Sequence, residues 1–214
     1  MGRTKEHHME TVVAQASAKE GVVMHASPTS FPAVESWNFG AVKGEEVKSF
    51  PISSNGVDLM LSIQDCVSPF EPSSLNGATR KAVTLRLPSE WDDPLGDMEN
   101  ALIQLVCARS RDFFGVDLAE DQIIERYKPI TKKLAKYPRN LKVKVATGFS
   151  NHMTATRYWS HDRTRIDAPT NHAGIRVNAV VRLCAIWVGK DAWGVVCDAS
   201  DIQIMEELKV DCPF

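Results

Sequence analysis

Apolar and polar residues alternate along several stretches of the chain, which is the pattern of half-buried β-strands. The alternation runs through GVDLMLSIQ (56–64), ATRKAVTLRLP (78–88) and NLKVKVATG (140–148). Because successive side chains of a strand point to opposite faces, each run presents one apolar face and one polar face. A fourth stretch, residues 175–204, has two apolar runs on either side of GKDA (189–192), which predicts a hairpin.

A helical pattern separates the second and third of these strands. Between Gly96 and Gly115 apolar residues recur at helical spacing, with acidic residues first and arginines last, as the helix dipole favours. A shorter helix is predicted from Asp117 to just before Pro129. Strands, an α-helical insert at about 97–135 and further strands predict an α+β, β-rich fold. Hairpin-linked strands favour an oligonucleotide-binding-like antiparallel barrel.

Composition divides the chain into three parts. Residues 1–36 are polar, rich in Ala and Ser and end near two prolines, which predicts a flexible N-terminal arm. Residues 37–205 are predicted to form a single β-rich domain that contains the helical insert. Residues 206–214 form an acidic C-terminal tail.

The two tryptophans of the hairpin are predicted to lie in the core. The odd positions from Ile175 to Trp187 are uniformly apolar, so Trp187 shares the core face of its strand. Trp193 begins a second alternating run, whose phase changes near Ser200 and predicts a bulge there. The alternative is that the tryptophans form a platform for a flat ligand such as a nucleobase.

The net charge of −2 conceals a segregation of signs along the chain. Residues 126–190 contain fourteen Lys or Arg and two acids, Asp162 and Asp167, a local net charge of +12 that leaves −14 elsewhere. Either these blocks neutralise each other, within the fold or across an oligomer interface, or the basic part forms an anion-binding face. Nucleic acid is the usual partner of such a face.

Two sets of residues are predicted to bind nucleic acid. The first lies on the outward face of three predicted strands and would follow a phosphate backbone: Arg86, Lys142, Lys144, Arg176, Asn178 and Arg182. The second lies in the long segment 146–174 and combines aromatic residues that would stack on bases, Phe149, Tyr158 and Trp159, with the cations Arg157, Arg163 and Arg165. For these aromatic residues, covering an edge of the core is an equally good interpretation.

The sequence lacks the motifs of the common catalytic and cofactor sites. There is no G-x-x-x-x-G-K-[ST], G-x-G-x-x-G or G-x-S-x-G. His152, His161 and His172 are widely spaced, with no cysteine near them, which argues against a metal site. Glu46 and Lys48 form the E-x-K pattern of metal-dependent nucleases, without an aspartate shortly upstream. We therefore predict no catalytic residue, no metal and no cofactor.

The cellular location of the protein and the redox state of its cysteines are predicted from segments and motifs that the sequence lacks. No apolar run approaches the length of a membrane span, and the first residues lack the apolar segment of a signal peptide. We expect an intracellular protein, of the cytoplasm or nucleus (including those of an infected host cell), with no membrane partner. Five cysteines without a C-x-x-C pair favour reduced thiols over a disulfide framework.

The chain from Glu125 onward carries a recognisable succession of motifs. A Tyr-x-Pro segment (127–129) precedes a basic strand (141–145), a long loop, a strand that ends in Ile-Trp (177–187) and an alternating strand that begins Trp-Gly (193–204). This succession resembles the C-terminal part of the single-stranded DNA-binding proteins of large DNA viruses. The resemblance implies an oligonucleotide-binding barrel that coats replicating or recombining strands without strong sequence preference.

The last four residues, DCPF, are similar to the acidic tip of bacterial and phage single-strand-binding proteins. If the similarity is functional, Asp211 and Phe214 would dock partner proteins and the tip would compete with DNA for the basic surface. The acidic run is short and is interrupted by Lys209, so a chance match is the alternative.

These patterns together predict a non-catalytic single-stranded nucleic-acid-binding protein, acting on single-stranded DNA in replication or recombination and compatible with homo-oligomerisation. One alternative is a structural or assembly protein of the virion type, with complementary acidic and basic surfaces. A second alternative is a metal-dependent nuclease that uses Glu46 and Lys48.

Overall fold

The computed structural model describes residues 24–74, 80–146 and 155–207. In these ranges the helices are α1 (Asp92–Ala108), α2 (Ser110–Phe114) and α3 (Glu120–Arg126). The strands are β1 (Met24–Ala26), β2 (Trp37–Phe39), β3 (Lys48–Ser54), β4 (Leu59–Ser68), β5 (Ser73–Ser74), β6 (Arg80–Arg86), β7 (Tyr127–Lys128), β8 (Thr131–Leu134), β9 (Tyr137–Ala146), β10 (Arg157–Trp159), β11 (Arg165–Ile166), β12 (Ile175–Val188) and β13 (Trp193–Glu207).

Two predicted boundaries differ from those in the structure. The helical insert begins at Asp92 and ends at Arg126, and β7 and β8 occupy the part that was expected to continue to 135. Strand β1 lies inside the predicted arm and pairs in parallel with β4. None of the helices in the described ranges has the length and apolar content needed to cross a membrane.

Five strands close into a barrel. Strand β4 pairs with β6, β6 with β9, β9 with β13, β13 with β12, and β12 returns to β4. The contact between β9 and β13 is parallel, and the other four are antiparallel. A five-stranded barrel with such crossed connections is the oligonucleotide-binding architecture. The predicted β-rich α+β fold with a helical insert is therefore confirmed.

The barrel has two narrow seams. Strands β4 and β6 join through the single pair Val67 and Arg86. Strands β9 and β13 join through Lys144 and Asp198. In contrast, β12 and β13 pair along nearly their whole lengths. The seam at Lys144 lies beside the candidate site described below.

The barrel interior is filled by the apolar positions of the alternating runs. Nine residues predicted from that alternation are buried: Leu59, Leu61, Ile63, Val83, Leu85, Leu87, Leu141, Val143 and Val145. Helix α1 packs on the same cluster through Leu95, Leu102 and Val106. Because each of these strands turns its other face outward, the polar residues between the apolar ones form the barrel surface.

A buried carboxylate connects α1 to the segment that follows α3. Glu99 accepts hydrogen bonds from the Tyr127 hydroxyl at 2.8 Å and from the Ile130 backbone N–H at 3.1 Å. Arg139 of β9 lies 3.4 Å from the same carboxylate. Burial, and then the neighbouring charge of Glu99, raise the pKa of Tyr127, so its hydroxyl stays a neutral donor. This network fixes Lys128 and its neighbours against the barrel.

Candidate nucleic-acid interface

The outward face of the β12–β13 hairpin changes register inside β12. A β-bulge lies between Leu183 and Ala185; Ala185 and Ile186 are consecutive buried residues, and the next buried residue is Val188. Trp187 consequently points outward and is half-buried. The prediction that Trp187 lies in the core is therefore wrong, because the extra residue of a bulge moves every following side chain to the opposite face.

Trp193, on the other side of the turn, is fully buried. Its indole N–H donates to the carbonyl oxygen of Ile123 at 2.8 Å. Its ring packs against that of Tyr127, with centroids 4.6 Å apart. The prediction that Trp193 lies in the core is confirmed.

The indole of Trp187 lies close to the backbone of Gly194, its partner on β13. A Cβ atom at Gly194 would stand 3.1 Å from the indole nitrogen and 2.7 Å from the carbonyl oxygen of Lys128. The missing side chain therefore lets both the indole and strand β7 approach β13 closely. Trp187 is held in place on one side and faces a cleft.

This cleft extends from Trp187 over the outward sides of β9, β13 and β12. Its first part has a volume of about 370 Å³ and its second part about 480 Å³, and the two parts share Lys144 and Val196. Five cationic side chains line it. The name "basic cleft" is used below for the surface formed by Trp187 and these cations, Lys43, Lys128, Lys142, Lys144 and Arg182.

Positive charge in the basic cleft is only partly neutralised. Arg182 lies 3.3 Å from Asp58 and 3.9 Å from Asp198. Among the described residues, the four lysines of the basic cleft make no ion pair. The cleft therefore combines an excess of cationic groups with an aromatic face, the two features that a single nucleic-acid strand requires.

Two arginines predicted to contact phosphates are held elsewhere by acidic partners. Arg157 of β10 lies 2.7 Å from Asp201, and Arg176 of β12 lies 3.1 Å from Asp65. Burial opposes the ionisation of Asp201, but hydrogen bonds from Arg157 and Trp159 outweigh it, so the pKa of Asp201 lies below its usual range. Part of the segregated charge is thus neutralised within the fold, as the alternative interpretation of the charge pattern expected.

Arg86 and Arg165 also lie outside the basic cleft. The guanidinium of Arg86 stands 5.1 Å from the ring centroid of Tyr137, an exposed residue at the start of β9. Arg165 is exposed on the short strand β11. Neither side chain lines the basic cleft or the second cleft, which lies farther along the same face.

A second cleft, of about 480 Å³, lies farther along the outward face of the same hairpin. It is lined by Trp159, Arg163 and Asn178. The indole N–H of Trp159 donates to Asp201 at 2.9 Å, which fixes the orientation of the ring. The Asn178 side chain is held by the backbone N–H of Asp65 at 2.9 Å. This "Trp159 cleft" therefore gathers three predicted site residues, only one of which, Arg163, is a free cation among the described residues.

Tyr158, a predicted stacking residue, is buried. Its hydroxyl lies 3.0 Å from Nε2 of His172, and burial raises its pKa. That prediction is therefore wrong: in β10 the side chain of Tyr158 turns inward while those of its neighbours turn outward. Phe149 and the C-terminal tip lie outside the described residues.

The nuclease alternative would need a metal ion beside Glu46 and Lys48. In the described ranges no three His, Cys, Asp or Glu side chains are grouped to hold a metal ion. Glu46 and Lys48 instead lie beside Phe113 and Phe114 in a shallow depression. The described cysteines are free thiols, and burial raises the pKa of Cys184 to about 12.

Three residues of the basic cleft were not among the predicted site residues. Lys43 and Lys128 lie in short segments without strand periodicity, so nothing local indicated which way they face. Trp187 was assigned to the core because alternation was extended through a bulge. The available signal was the pair of motifs Trp-Val-Gly-Lys (187–190) and Trp-Gly (193–194), since a glycine opposite an aromatic residue in a strand allows close approach.

The chain matches no protein-family model and no curated protein sequence. Its fold is similar to that of gp2.5, a single-stranded DNA-binding protein encoded by bacteriophage T7. The TM-score is 0.51, with 10% sequence identity over 72% of this chain and 89% of that one. The single-stranded DNA-binding protein from bacteriophage Enc34 aligns with a TM-score of 0.42 and 12% identity over 81% of this chain and 93% of that one. Its complex with single-stranded DNA aligns with a TM-score of 0.41 and 13% identity, over 77% of this chain and 92% of that one. The similarity to gp2.5 shows a shared fold, and it extends beyond the C-terminal part of the chain.

Proposed function

We propose that this protein binds single-stranded DNA without catalysis and does so in the basic cleft, in the service of replication or recombination. The observation that carries the proposal is the position of Trp187 among Lys128, Lys142 and Lys144 on the outside of the barrel. A groove of cations that follows the phosphates, with aromatic side chains for the bases, is how single strands are bound without sequence readout.

The place of the basic cleft on the barrel supports the same function. Oligonucleotide-binding barrels use the face of their second and third strands together with the loops between strands one and two and between strands four and five. Here the second and third strands are β6 and β9, and β9 carries Lys142 and Lys144. Trp187 adjoins the turn between the fourth and fifth strands, β12 and β13.

The Trp159 cleft is proposed as a continuation of the path. Along β12 the outward residues run from Trp187 through Arg182 to Asn178, which spans about 30 Å at the rise of a strand. A strand of DNA leaving the basic cleft beyond Arg182 would reach Arg163 and Trp159. Phe149 and Arg165 remain proposed contacts of DNA outside the two clefts' described linings, whereas Arg157 and Arg176 are proposed to position Asp201 and Asp65.

Assembly is the second candidate function, and three exposed apolar side chains favour it. Val42, Val47 and Val116 each expose about half of their surface, and Val116 lies in the same depression as Phe114. Exposed apolar side chains of this kind mark contact surfaces when they adjoin. Val47 also lines the basic cleft beside Lys43, so assembly through this region would compete with DNA for part of that surface. We also propose that Asp211 and Phe214 dock partner proteins. A relationship to the single-stranded DNA-binding proteins of large DNA viruses is a further proposal.

Binding of a labelled single-stranded oligonucleotide at several salt concentrations, followed by incubation with Mg²⁺, tests these functions. Salt-sensitive binding without cleavage is expected. Cleavage would overturn the proposal in favour of the nuclease alternative with Glu46 and Lys48. Absence of binding, together with concentration-dependent assembly in sedimentation, would overturn it in favour of assembly.

A further inference from the structure

One acidic side chain lies inside the basic cleft, and among the described residues its hydrogen-bond donor is the thiol of Cys184, a weak donor for a buried carboxylate. Asp198 is 6% exposed and lines the cleft beside Arg182 and Lys144. Its Oδ1 atom is buried and accepts no hydrogen bond from any described residue. Its Oδ2 atom is 3.9 Å from the guanidinium of Arg182, too far for a hydrogen bond.

Lys144, which lies next to Asp198, does not supply the missing partner. Lys144 is paired with Asp198 across the seam of the barrel, yet no ion pair joins the two side chains among the described residues. An unsatisfied buried carboxylate destabilises a fold, so each one requires an explanation. If Arg182 turns toward a phosphate, as the proposed function requires, Asp198 also loses its nearest cation.

We infer that Asp198, once Arg182 has turned from it toward a phosphate, accepts a hydrogen bond from the exocyclic amino group of a base, and so gives the cleft a preference for cytosine over uracil or thymine. The inference rests on the proposed function, since the base must arrive on a strand held by the basic cleft. Carboxylates are the side chains that accept from the N4 amino group of cytosine. Uracil and thymine present a carbonyl oxygen at that position, which would face the carboxylate and be repelled.

The register of the hairpin allows this contact beside the stacking platform. Asp198 and Gly194 are four residues apart on β13, a distance of about 13 Å along the strand. The base read by Asp198 is therefore a different base from the one stacked on Trp187. Val196 lies between them as an apolar floor.

The first experiment compares wild-type binding of oligo(dC) and oligo(dU), each about 15 nucleotides long. These strands have the same backbone and ring size and differ in the groups on the pairing edge of the base. Oligo(dC) is expected to bind about tenfold more tightly, the discrimination of one good base contact. Equal affinity would overturn the inference and leave the proposed function intact. Binding of neither strand would overturn the proposed function itself.

A modified strand tests the donor without altering the protein. Oligo(dC) carrying N4,N4-dimethylcytosine keeps the ring and the charge but has no amino proton to donate. Its affinity is expected to fall to that of oligo(dU), and retention of the tenfold advantage would overturn the inference. Because the wild-type protein is used, this result does not depend on how a variant folds.

Asp198→Asn and Asp58→Asn form a matched pair of variants. Both remove one negative charge next to Arg182, but the Asp58 side chain is half-exposed whereas that of Asp198 is nine-tenths buried. Asp198→Asn is expected to reduce the preference for oligo(dC) below about twofold. Asp58→Asn is expected to raise the affinity for both strands by the same factor and leave the preference unchanged. Loss of the preference in both variants would show that charge alone produced it and would overturn the inference.

Discussion

Trp187 and Trp193 lie on either side of one turn and have opposite surroundings. Trp193 is enclosed and hydrogen-bonded to the backbone of α3, whereas Trp187 borders the basic cleft. Trp193→Ala is expected to lower the free energy of unfolding by about 3–5 kcal/mol, the cost of truncating a buried aromatic residue. Urea titration of the variant measures this loss.

Trp187→Ala is expected to fold normally and to weaken binding of single-stranded DNA by about 1–3 kcal/mol, the contribution of one stacked base. Fluorescence anisotropy at fixed salt measures the affinity, and Trp159→Ala provides the comparison in the second cleft. If Trp187→Ala binds as well as the wild type while Trp159→Ala does not, the Trp159 cleft is the main site and our assignment is inverted.

The lysines of β9 act on the salt dependence of binding. Each neutralised phosphate contributes about −0.7 to the slope of log affinity against log salt concentration for a single strand. Changing both Lys142 and Lys144 to Ala should therefore flatten the slope by about 1.4 without unfolding the protein, since both side chains point outward. Lys136→Ala, in the exposed turn before β9, is the matched control and should leave the slope unchanged. An equal effect of Lys136→Ala would mean that the general field of the protein, and not the cleft, attracts DNA.

At the scale of the elements, the attachment of β10 depends on a buried histidine. His172 lies against Tyr158, its Nδ1 atom has no partner among the described residues, and burial and then Lys81 lower its pKa to about 4. The folded state therefore favours the neutral ring, while the unfolded chain takes up a proton near the ordinary pKa of 6.5. The contribution of the neutral His172 ring to the free energy of unfolding is therefore fully present above pH 6.5 and is lost as the pH falls toward 4.

The free energy of unfolding should accordingly decrease by up to about 1.4 kcal/mol for each pH unit below the ordinary pKa of histidine. Urea titrations at pH 7, 6 and 5 measure it, and His172→Gln should reduce this part of the pH dependence because the variant has no group that titrates there. An unchanged pH dependence in the variant would assign the effect to groups other than His172.

At the scale of the whole molecule, the basic cleft crosses a weak point of the barrel. Strands β9 and β13 meet at one residue pair, and the cleft lies over it, with Lys142 on one side and Arg182 on the other. A strand of DNA bound to both sides would join them. The bound protein should gain about 2.7 kcal/mol of stability when the free ligand is at 100 times its Kd.

Hydrogen exchange measured with and without the oligonucleotide locates this gain. Protection is expected to rise most in residues 141–146 and 194–199, which flank the seam. The seam between β4 and β6 is the internal control and should change less. A uniform rise over the barrel, or a rise confined to the Trp159 cleft, would contradict binding across the first seam.

Alternation along the chain was sufficient to predict the fold class and most of the core. Strands β4, β6 and β9 and the two arms of the hairpin follow from period-two patterns, and α1 follows from helical spacing and its acidic start. The cations Lys142, Lys144 and Arg182 were also predicted, because a residue between two buried ones in a strand must face outward. These inferences are local, since backbone geometry relates each residue to its immediate neighbours.

The site as a unit was decided by tertiary structure. Lys43, Lys128 and Lys144 are separated in sequence and meet because β7 and β9 both lie beside β13, and because Lys43 pairs with β3, which lies beside β12. The bulge that turns Trp187 outward depends on how β12 fits between β3 and β13, and the alternation of apolar and polar residues does not indicate it. In the same way, the partners of Arg157 and Arg176 were set by strand pairing. Sequence patterns indicate which face a side chain takes, whereas pairing between distant strands determines what it meets there.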